Sequence, residues 1–311
     1  MTTINRFSVK IIFSFLISFS FSSNSLGNDF GFFGSPLSSI YTDQSSGNPT
    51  YTADAFDGTN LGAINTLTIT GGKAQSYKNG NGNVCGVTLN YQIYESSSSP
   101  PGSWSSFALN YSSGSSDQVW ETTGLSINVL NGLDPGTDYI LEIYFHMTGS
   151  HNGGCGEVEY QSNSGNNYKL NFSTCDNAPG TQASNFTSSN LTNSSATVGW
   201  TRGNGNNVLV VARSGGAVNA DPTDGTTYTA NAAFGSGTEI GTGNYVVYKG
   251  TGTSVDLTNL AASTTYHFAI YEYNDNCIIH NATELTGNFT SCDNAPGTQA
   301  SNFTSSNLTN S

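Results

Sequence analysis

The sequence predicts an all-β protein, built from two-layer sandwiches arranged in tandem after an N-terminal signal peptide. Three observations support this: apolar and polar residues alternate strictly in several stretches, short turn signals separate these stretches, and a long segment recurs at a fixed spacing. No stretch is rich in Ala, Leu, Glu and Lys, the residues of a stable surface helix. The 311 residues are enough for about two domains of roughly 100 to 200 residues each.

The composition excludes two classes of protein. The chain carries 8 Lys and Arg residues against 21 Asp and Glu residues, a formal net charge of −13, which excludes a basic nucleic-acid-binding protein. Disorder driven by charge is excluded as well, because charged residues make up only 9% of the chain. The 17 Phe, 16 Tyr and 3 Trp residues are more than disordered segments carry, so folded cores are expected.

The first segment has the pattern of a secretory signal peptide. Arg6 and Lys10 flank the start of an apolar run of 11 residues, 11–21, and small polar residues follow this run. A membrane-spanning helix needs roughly 20 apolar residues, so the run is too short to be an anchor. We therefore expect residues 1–27 to be a signal peptide, cleaved near Ser25 to Asn28, and we expect no membrane span in the exported chain.

A segment of 20 residues occurs twice without a change. Residues 175–194 and 292–311 both read CDNAPGTQASNFTSSNLTNS, and their offset of 117 residues (292 − 175) is the length of one module. The repeat predicts domains over 28–174 and 175–291, followed by the truncated start of a second copy over 292–311. A single strand cannot form a core. We therefore expect this last segment to be poorly ordered, and the chain to be a fragment of a longer protein.

Alternating residues mark the strands that have one buried face. Such strands are predicted at 87–93 and 139–147 in the first domain and at 266–270 in the second, while residues 208–211 are apolar on both sides. The residues predicted to face a core are Val87, Leu89, Tyr91, Ile93, Tyr139, Leu141, Ile143, Phe145, Met147, Tyr266, Phe268 and Ile270. Those predicted to face away from it include Thr88, Asn90, Gln92, Glu142, Tyr144 and His146.

Two motifs in the second domain belong together. A strand that ends in tryptophan, 196–200 (ATVGW), precedes the segment 260–266 (LAASTTY). With these motifs, residues 175–291 resemble the fibronectin type III domain. The resemblance implies that Trp200 packs in the core and that Tyr266 forms a corner, its hydroxyl bonding back to nearby backbone.

The first domain has the same corner spacing but differs elsewhere. Segment 133–139 (LDPGTDY) places Tyr139 at the position that Tyr266 occupies in the second domain, which predicts a structural role for Tyr139. No strand ending in tryptophan precedes residue 87, so 28–174 is predicted to be an immunoglobulin-like sandwich of no assigned family. The middle of the second domain, 214–243, is longer than the fibronectin type III family usually has. Tandem modules of this composition look like the ancillary parts of large secreted bacterial proteins.

The chain has five cysteines, and export would place them where disulfides persist. In such a sandwich the chain entry, the start of the third strand and the end of the sixth share one pole. This topology predicts the pairs Cys85–Cys155 and Cys175–Cys277, and the alternative is buried unpaired thiols. Cys292 is left over. Because it repeats Cys175, its partner is expected 102 residues further on (277 − 175), beyond the end of the sequence.

The sequence contains no recognisable catalytic constellation. Of the four histidines, His146 and His267 are expected on the outward faces of strands, and none lies in a hydrolase motif. The spacing of His146, His151 and Cys155 matches no common zinc pattern. We therefore predict no catalytic residue, no cofactor and no metal in this chain, with one possible exception.

That exception is calcium. Asp54 with Asp57, and Asp221 with Asp224, place two carboxylates at a turn, and oxygen-rich turns hold calcium in some extracellular modules. The structural alternative is that these side chains cap their own turns.

Three aromatic residues cluster between the strand candidates of the first domain: Trp104, Tyr111 and Trp120. Flat rings of this kind could form a platform for a sugar. The alternative is that the rings fill the core of the sandwich, as most aromatic side chains do.

These observations predict a noncatalytic array of modules at the cell exterior, acting as a spacer or as an adhesive surface. Its expected partner is an extracellular protein or polysaccharide. Two alternatives stay open. The chain could be the ancillary N-terminal part of a secreted hydrolase whose catalytic domain lies beyond residue 311, or 28–174 could be a carbohydrate-binding module.

Overall fold

The computed structural model describes residues 29–43, 50–152 and 154–294. The predicted signal peptide, 1–27, lies outside the described residues, and so does nearly all of the truncated repeat, 292–311. The described part is almost entirely β-structure, which confirms the predicted fold class.

Helices are few and short. The longest helix in the described residues is α1, Ala53–Phe56, and 3-10 helices cover Ser35–Leu37 and Asn163–Gly165. None of the helices in this part of the chain is long and apolar enough to cross a membrane.

The first module, defined here as residues 29–174, is a sandwich around one core. Its strands are β1 Phe30–Phe32, β2 Ser39–Thr42, β3 Thr50–Thr52, β4 Asn60–Ile64, β5 Thr68–Lys78, β6 Asn83–Glu95, β7 Ser105–Ser113, β8 Asp117–Thr122, β9 Ile127–Asn128, β10 Asp138–Ser150, β11 Glu157–Gln161 and β12 Tyr168–Thr174. One layer has the order β7-β6-β10-β12-β4, and the other is built around β5, which pairs with β1, β2, β8 and β9.

Strand β7 joins the two layers of the first module. Residues 105–109 pair with β6 in one layer, and Asn110 to Ser113 pair with β8 in the other, with a register shift between Tyr111 and Ser113. The two layers therefore form one continuous hydrogen-bonded path, which bends around the core.

The second module, residues 175–291, consists of two separate sheets. Its strands are β13 Ser184–Ser189, β14 Ala196–Thr201, β15 Asn207–Ser214, β16 Asn244–Gly250, β17 Ser254–Leu257, β18 Thr265–Asn274, β19 Ile279–His280 and β20 Leu285–Thr290. The first sheet has the order β13-β14-β17, and the second has the order β16-β15-β18, with β19 and β20 both paired to β18. This is a β-sandwich of two sheets that pack face to face.

Both modules contain the predicted tyrosine corner. The Tyr139 hydroxyl accepts a hydrogen bond from the Asp134 backbone N–H at 3.0 Å, and the Tyr266 hydroxyl accepts one from the Ala261 N–H at 2.8 Å. Both tyrosines are buried, and Trp200 is buried in the core of the second module. All three side chains therefore stabilise the fold.

The faces of β6 are as the alternation predicts, with Tyr91 and Ile93 on the core and Gln92 on the opposite face. Gln92 is nevertheless buried there. The reason is a polar contact across that face, where the Gln92 side-chain amide donates to the buried Glu142 carboxylate at 2.8 Å.

Candidate functional site

Two disulfides lie at the ends of the sandwiches, and they are the two pairs expected from the sequence. Cys85 bonds to Cys155 and Cys175 bonds to Cys277, with Cα–Cα separations of 5.9 and 5.4 Å. Because Cys155 is oxidised, it cannot ligate zinc together with the nearby histidines. Cys292 is exposed and is the free cysteine of the described residues.

The three rings that could form a sugar platform or fill the core lie in two places. Trp120 is only 7% exposed, belongs to the core, and donates its indole N–H to the Ser76 hydroxyl at 2.9 Å. Tyr111 lies opposite it on β7, 53% exposed, with ring centroids 5.6 Å apart. Trp104 instead packs edge-to-face on Tyr144, with centroids 4.7 Å apart. The three rings therefore do not form a single flat platform.

Trp104 belongs to a different group of rings, on the side of the β7-β6-β10-β11 sheet that faces away from the core. We call this side the outer face. Tyr144 and His146 project there from β10, and β11 places Tyr160 opposite His146. The ring centroids are 6.1 Å apart for Tyr144 and Tyr160 and 5.1 Å apart for His146 and Tyr160. We call Trp104, Tyr144, His146 and Tyr160 the aromatic strip.

The aromatic strip is surrounded by uncharged side chains. The cross-strand register places Asn90 beside Tyr144 and Thr88 beside His146, and Val158 beside Thr148. Burial lowers the pKa of His146, so its ring is neutral at pH 7, and burial with the neighbouring Tyr160 raises the pKa of Tyr144. The strip therefore offers apolar rings, hydroxyls and amides but no formal charge.

A cavity of about 350 Å³ opens next to the strip, where β7 passes between the layers. Its lining includes Thr88 and His146 from the outer face, together with Asn110, Tyr111 and Trp120. The predicted sugar contacts Tyr111 and Trp120 thus border a cavity that shares His146 with the aromatic strip. The two features form one continuous candidate surface.

The corresponding face of the second module is covered. Strand β15 is apolar on both sides, as predicted, and its second side forms a separate buried cluster with β16 and β18. Residues 215–243, which we call the cover loop, pack over this cluster. The buried members of the cluster are Leu209, Val211, Ile240, Val246, Ala269, Tyr271 and Tyr273, and the half-buried ones include Val218, Ala220, Tyr228 and Ala230.

The aspartates considered as calcium ligands in the second module hold the cover loop in place. The Tyr271 hydroxyl donates to the Asp221 carboxylate at 2.8 Å. Asp224 accepts the His280 backbone N–H at 2.9 Å, and the His280 imidazole Nδ1 lies 3.1 Å from the same oxygen. Each carboxylate therefore joins the loop to a different strand.

One of the two aspartates of the first module also makes structural contacts. Asp57 accepts the Lys169 backbone N–H and the Asn163 side-chain amide, both at 2.9 Å. Asp54 lies in the first turn of α1. Across the described ranges, no group of three or more His, Cys, Asp and Glu side chains could hold a metal ion.

The histidines lie apart from one another. His146 belongs to the aromatic strip, His151 contacts Glu157 and the Phe30 ring, and His280 contacts Asp224. Burial lowers the pKa of His280, whereas the bond to Glu157 raises the pKa of His151. Each of these rings has a local structural partner, and the arrangement corresponds to no known catalytic motif.

Each module also buries a carboxylate. In the second module, Glu272 is fully buried and accepts two hydrogen bonds from the Arg202 guanidinium at 2.8 and 2.9 Å and one from the Gly203 N–H at 2.7 Å. In the first module, Glu142 accepts the side-chain amides of Gln92 and Asn167, each at 2.8 Å. The buried carboxylate is thus bonded to a cation in the second module and mainly to neutral donors in the first.

The junction between the modules is held from the first module by its tyrosine corner. The Thr137 N–H donates to the Thr174 hydroxyl at 3.1 Å, and that hydroxyl donates to the Asp134 carbonyl at 2.6 Å. The Gly136 N–H donates to the Cys175 carbonyl at 3.1 Å.

The same junction is held from the second module. Cys175 is bonded to Cys277, and the neighbouring Asn276 amide donates to the Thr174 carbonyl at 2.8 Å. The Asn274 amide donates to the Asn177 carbonyl at 2.8 Å. Strand β12 ends at Thr174, so no free linker residue separates the two modules.

The corner contact is repeated where the second module ends. The Ser263 N–H donates to the Cys292 carbonyl at 3.2 Å, and the Thr264 N–H donates to the Ser291 hydroxyl at 3.0 Å. Ser291 also donates to the Ala261 carbonyl at 2.6 Å. Both corners thus hold the residues that lead out of their module in the same way.

Sequence reasoning missed Tyr144 and Tyr160 as site residues, and it missed the cover loop. The alternation along β10 could have indicated Tyr144 as a site residue, because Tyr144 and His146 alternate with residues that face the core. The cover loop has no periodicity. The sequence indicated the cover loop only indirectly. Strand 208–211 is apolar on both sides, so a further segment must bury its second side.

The chain matches no protein-family model and no curated protein sequence. Similar solved structures include the FN1-FN3 domains of chicken CNTN1, 13% identical over 76% of this chain and 66% of that one, with a TM-score of 0.36. The FN3 domain of human collagen XX is 22% identical over 37% of this chain and 94% of its own, with a TM-score of 0.24. A two-domain fibronectin type III segment of chicken tenascin is 16% identical over 71% and 93%, with a TM-score of 0.23.

Proposed function

We propose that the chain is a noncatalytic, exported array of β-sandwich modules, which acts as a stiff spacer and presents a binding face on its first module. The observation that supports this most strongly is the junction at Thr174 and Cys175. It is held by the corner of the first module and by the disulfide and asparagines of the second.

Stiffness at this junction is unusual for tandem domains. Relative domain motion is the default expectation unless the interface is large and apolar, and Gly- and Ser-rich linkers behave as random coils. Here the chain passes directly from β12 to a disulfide-bonded cysteine, and hydrogen bonds fix the backbone on both sides. Two of these hydrogen bonds cross the junction, from the Gly136 N–H to the Cys175 carbonyl and from the Asn276 amide to the Thr174 carbonyl, and movement between the modules would strain both.

An extracellular location is proposed from two features. Disulfides persist in oxidising compartments and are rare in the cytosol, and residues 1–27 have the pattern of a signal peptide. A stiff spacer could support an adhesive surface or a separate catalytic domain, so the link to a secreted hydrolase stays a prediction.

Distance measurements between the modules test the spacer role. Spin labels would be attached to Ser112→Cys on β7 and Ser188→Cys on β13, both exposed, in a Cys292→Ser background. Double electron–electron resonance then gives the distribution of distances between the labels. We expect one narrow distribution.

The matched control inserts Gly-Ser-Gly between Thr174 and Cys175. This insertion separates the two sets of contacts, so its distance distribution should be broad. The spacer proposal fails if the unmodified chain gives a distribution as broad as that of the insertion variant.

The binding role is supported by the difference between the two outer faces. The cover loop buries that of the second module, whereas Tyr160 and Val158 on the first are 50% and 48% exposed. Large apolar side chains left exposed together in an otherwise well-packed module indicate an interaction surface.

A further inference from the structure

The aromatic strip has features that indicate the chemistry of its ligand, and the inference drawn from them rests on the binding role proposed above. Trp104, Tyr144, Tyr160 and His146, in that order, form a row of neighbouring rings with successive centroid distances of 4.7, 6.1 and 5.1 Å. The row crosses the sheet from the residue before β7, over β10, to β11. It lies on an open sheet face, so a long ligand can lie across it.

The charges around the strip favour an uncharged ligand. The protein carries a formal net charge of −13, yet the positions around the strip are uncharged. These positions are Thr88, Asn90, Ser106, Ala108, Thr148 and Val158. The nearest carboxylate along β10, Glu142, is buried and accepts amides from Gln92 and Asn167. The cation on this face, Lys169 opposite Glu142, has its ammonium 3.9 Å from the Glu142 carboxylate, so the two charges offset each other.

The remaining chemistry suits a sugar chain. A pyranose ring has an apolar C–H face and a rim of hydroxyls. The rings of the strip offer apolar surface for the C–H face. Donors and acceptors for the sugar hydroxyls come from the hydroxyls of Tyr144 and Tyr160 and from the neighbouring Asn90 and Thr88. We propose that the outer face of the first module binds a neutral polysaccharide, with Trp104 and Tyr160 as the main stacking residues.

The adjoining cavity extends this surface. It shares Thr88 and His146 with the strip and adds Asn110 and the exposed ring of Tyr111. A branch or a further sugar unit can enter there. Trp120 contributes one wall but is held in the core by its bond to Ser76, so it shapes the cavity and does not stack on the ligand from the open face.

Affinity electrophoresis of the full chain tests the proposal. The gels would contain a neutral β-glucan, a galactomannan or a xylan, with alginate as an anionic polysaccharide. We expect at least one neutral polymer to retard the protein and alginate to leave its mobility unchanged. Trp104→Ala and Tyr160→Ala should each weaken the retardation about tenfold or more, as losses at buried aromatic anchors do.

Phe33→Ala is the matched control. Phe33 is another exposed ring, 43% exposed and paired with Tyr77, but it lies outside the strip. Its loss should leave binding unchanged. Because Tyr160 is half exposed on an edge strand, Tyr160→Ala should keep the thermal midpoint of the unmodified chain, so the test stands even if Trp104→Ala fails to fold.

The proposal is overturned if no neutral polymer binds, if only alginate binds, or if Phe33→Ala weakens binding as much as Tyr160→Ala. Binding of a protein ligand through the strip without any glycan binding would also overturn it. None of these outcomes would change the distance distribution between the modules, so the spacer proposal is judged separately.

Discussion

The two modules differ most in what lies on the outer face of their central sheet. In the second module the cover loop buries Leu209, Val211 and Tyr271 beneath it, so both faces of the sheet are used for stability. In the first module the equivalent face buries Gln92 and Glu142 but leaves the aromatic strip accessible, with Tyr160 half exposed. A sandwich needs only its inner faces to form a core. The outer face is therefore not needed for the core. It is covered by the loop in the second module and is available to bind a ligand in the first.

The buried carboxylates follow the same division. Glu272 in the sealed module is paired with a guanidinium, whereas Glu142 in the open module is held mainly by amides. A buried ion pair is costly to break, while a neutral hydrogen bond is cheaper to lose. The predictions below test this difference between the modules.

Removing the junction disulfide should have the largest effect. Cys175→Ser with Cys277→Ser opens a loop with a sequence separation of 102 and should destabilise the second module by about 4 to 5 kcal/mol in the chain-entropy model. Trp200 is the tryptophan of the second module, so its fluorescence in a Trp104→Phe, Trp120→Phe background follows urea unfolding of that module alone.

The first disulfide provides the control for this experiment. Cys85→Ser with Cys155→Ser should destabilise the first module and leave the Trp200 transition in place, since the two cores are separate. A shift of the Trp200 transition in this variant would show that the modules unfold as one unit.

Breaking the ion pair should have the next largest effect. Arg202→Met leaves Glu272 buried without its cation and should cost about 3 to 5 kcal/mol. Asn167→Ala removes one neutral donor from Glu142 and should cost about 1 to 3 kcal/mol. Urea unfolding of both variants gives the two free energies.

A double variant separates a lost ion pair from lost packing. Arg202→Met with Glu272→Leu should recover most of the stability, because it leaves no buried charge. Equal losses in the single and double variants would mean that Arg202 acts through its packing alone.

Truncating one buried side chain of the cover loop should destabilise the second module by less, and the loss should be specific to its covered face. Ile240 is buried in the loop cluster, so Ile240→Ala should cost about 2 to 4 kcal/mol. Tyr160→Ala on the open face should change the free energy of unfolding by no more than about 0.5 kcal/mol, as surface substitutions do. Similar losses at the two positions would contradict the division between a sealed and an open face.

Much of the fold could be predicted because it follows from local patterns. Alternation indicated β10 and β18, the corner spacing indicated Tyr139 and Tyr266, and sandwich topology indicated the cysteine pairs. These features depend on residues a few positions apart or on a shared pole of the sandwich.

The candidate site could be predicted only in part because it depends on contacts between distant strands. Trp104, Tyr111 and Trp120 are close in sequence, yet β7 and β8 direct them to different places. Tyr160 meets His146 only because β11 folds back beside β10. No periodicity in the sequence specifies that register.

The smallest predicted effect concerns pH. His280 is buried between Asp224 of the cover loop and the Tyr273 ring, with Lys249 contributing a nearby positive charge. Burial outweighs the attraction of Asp224 and lowers the pKa of His280 below its ordinary value of 6.5. The folded state therefore favours the neutral ring, and the unfolded chain takes up a proton first as the pH falls.

The second module should accordingly keep its full stability above about pH 6.5 and lose part of it as the pH falls through the lowered pKa. His280→Gln removes the titrating group, so its stability should fall less between pH 7 and 5 in urea unfolding followed by Trp200. Every other titratable side chain is common to both proteins, so the difference between the two curves is assigned to His280 and its contact with Asp224. Parallel curves would mean that protonation of His280 is not coupled to unfolding of the second module.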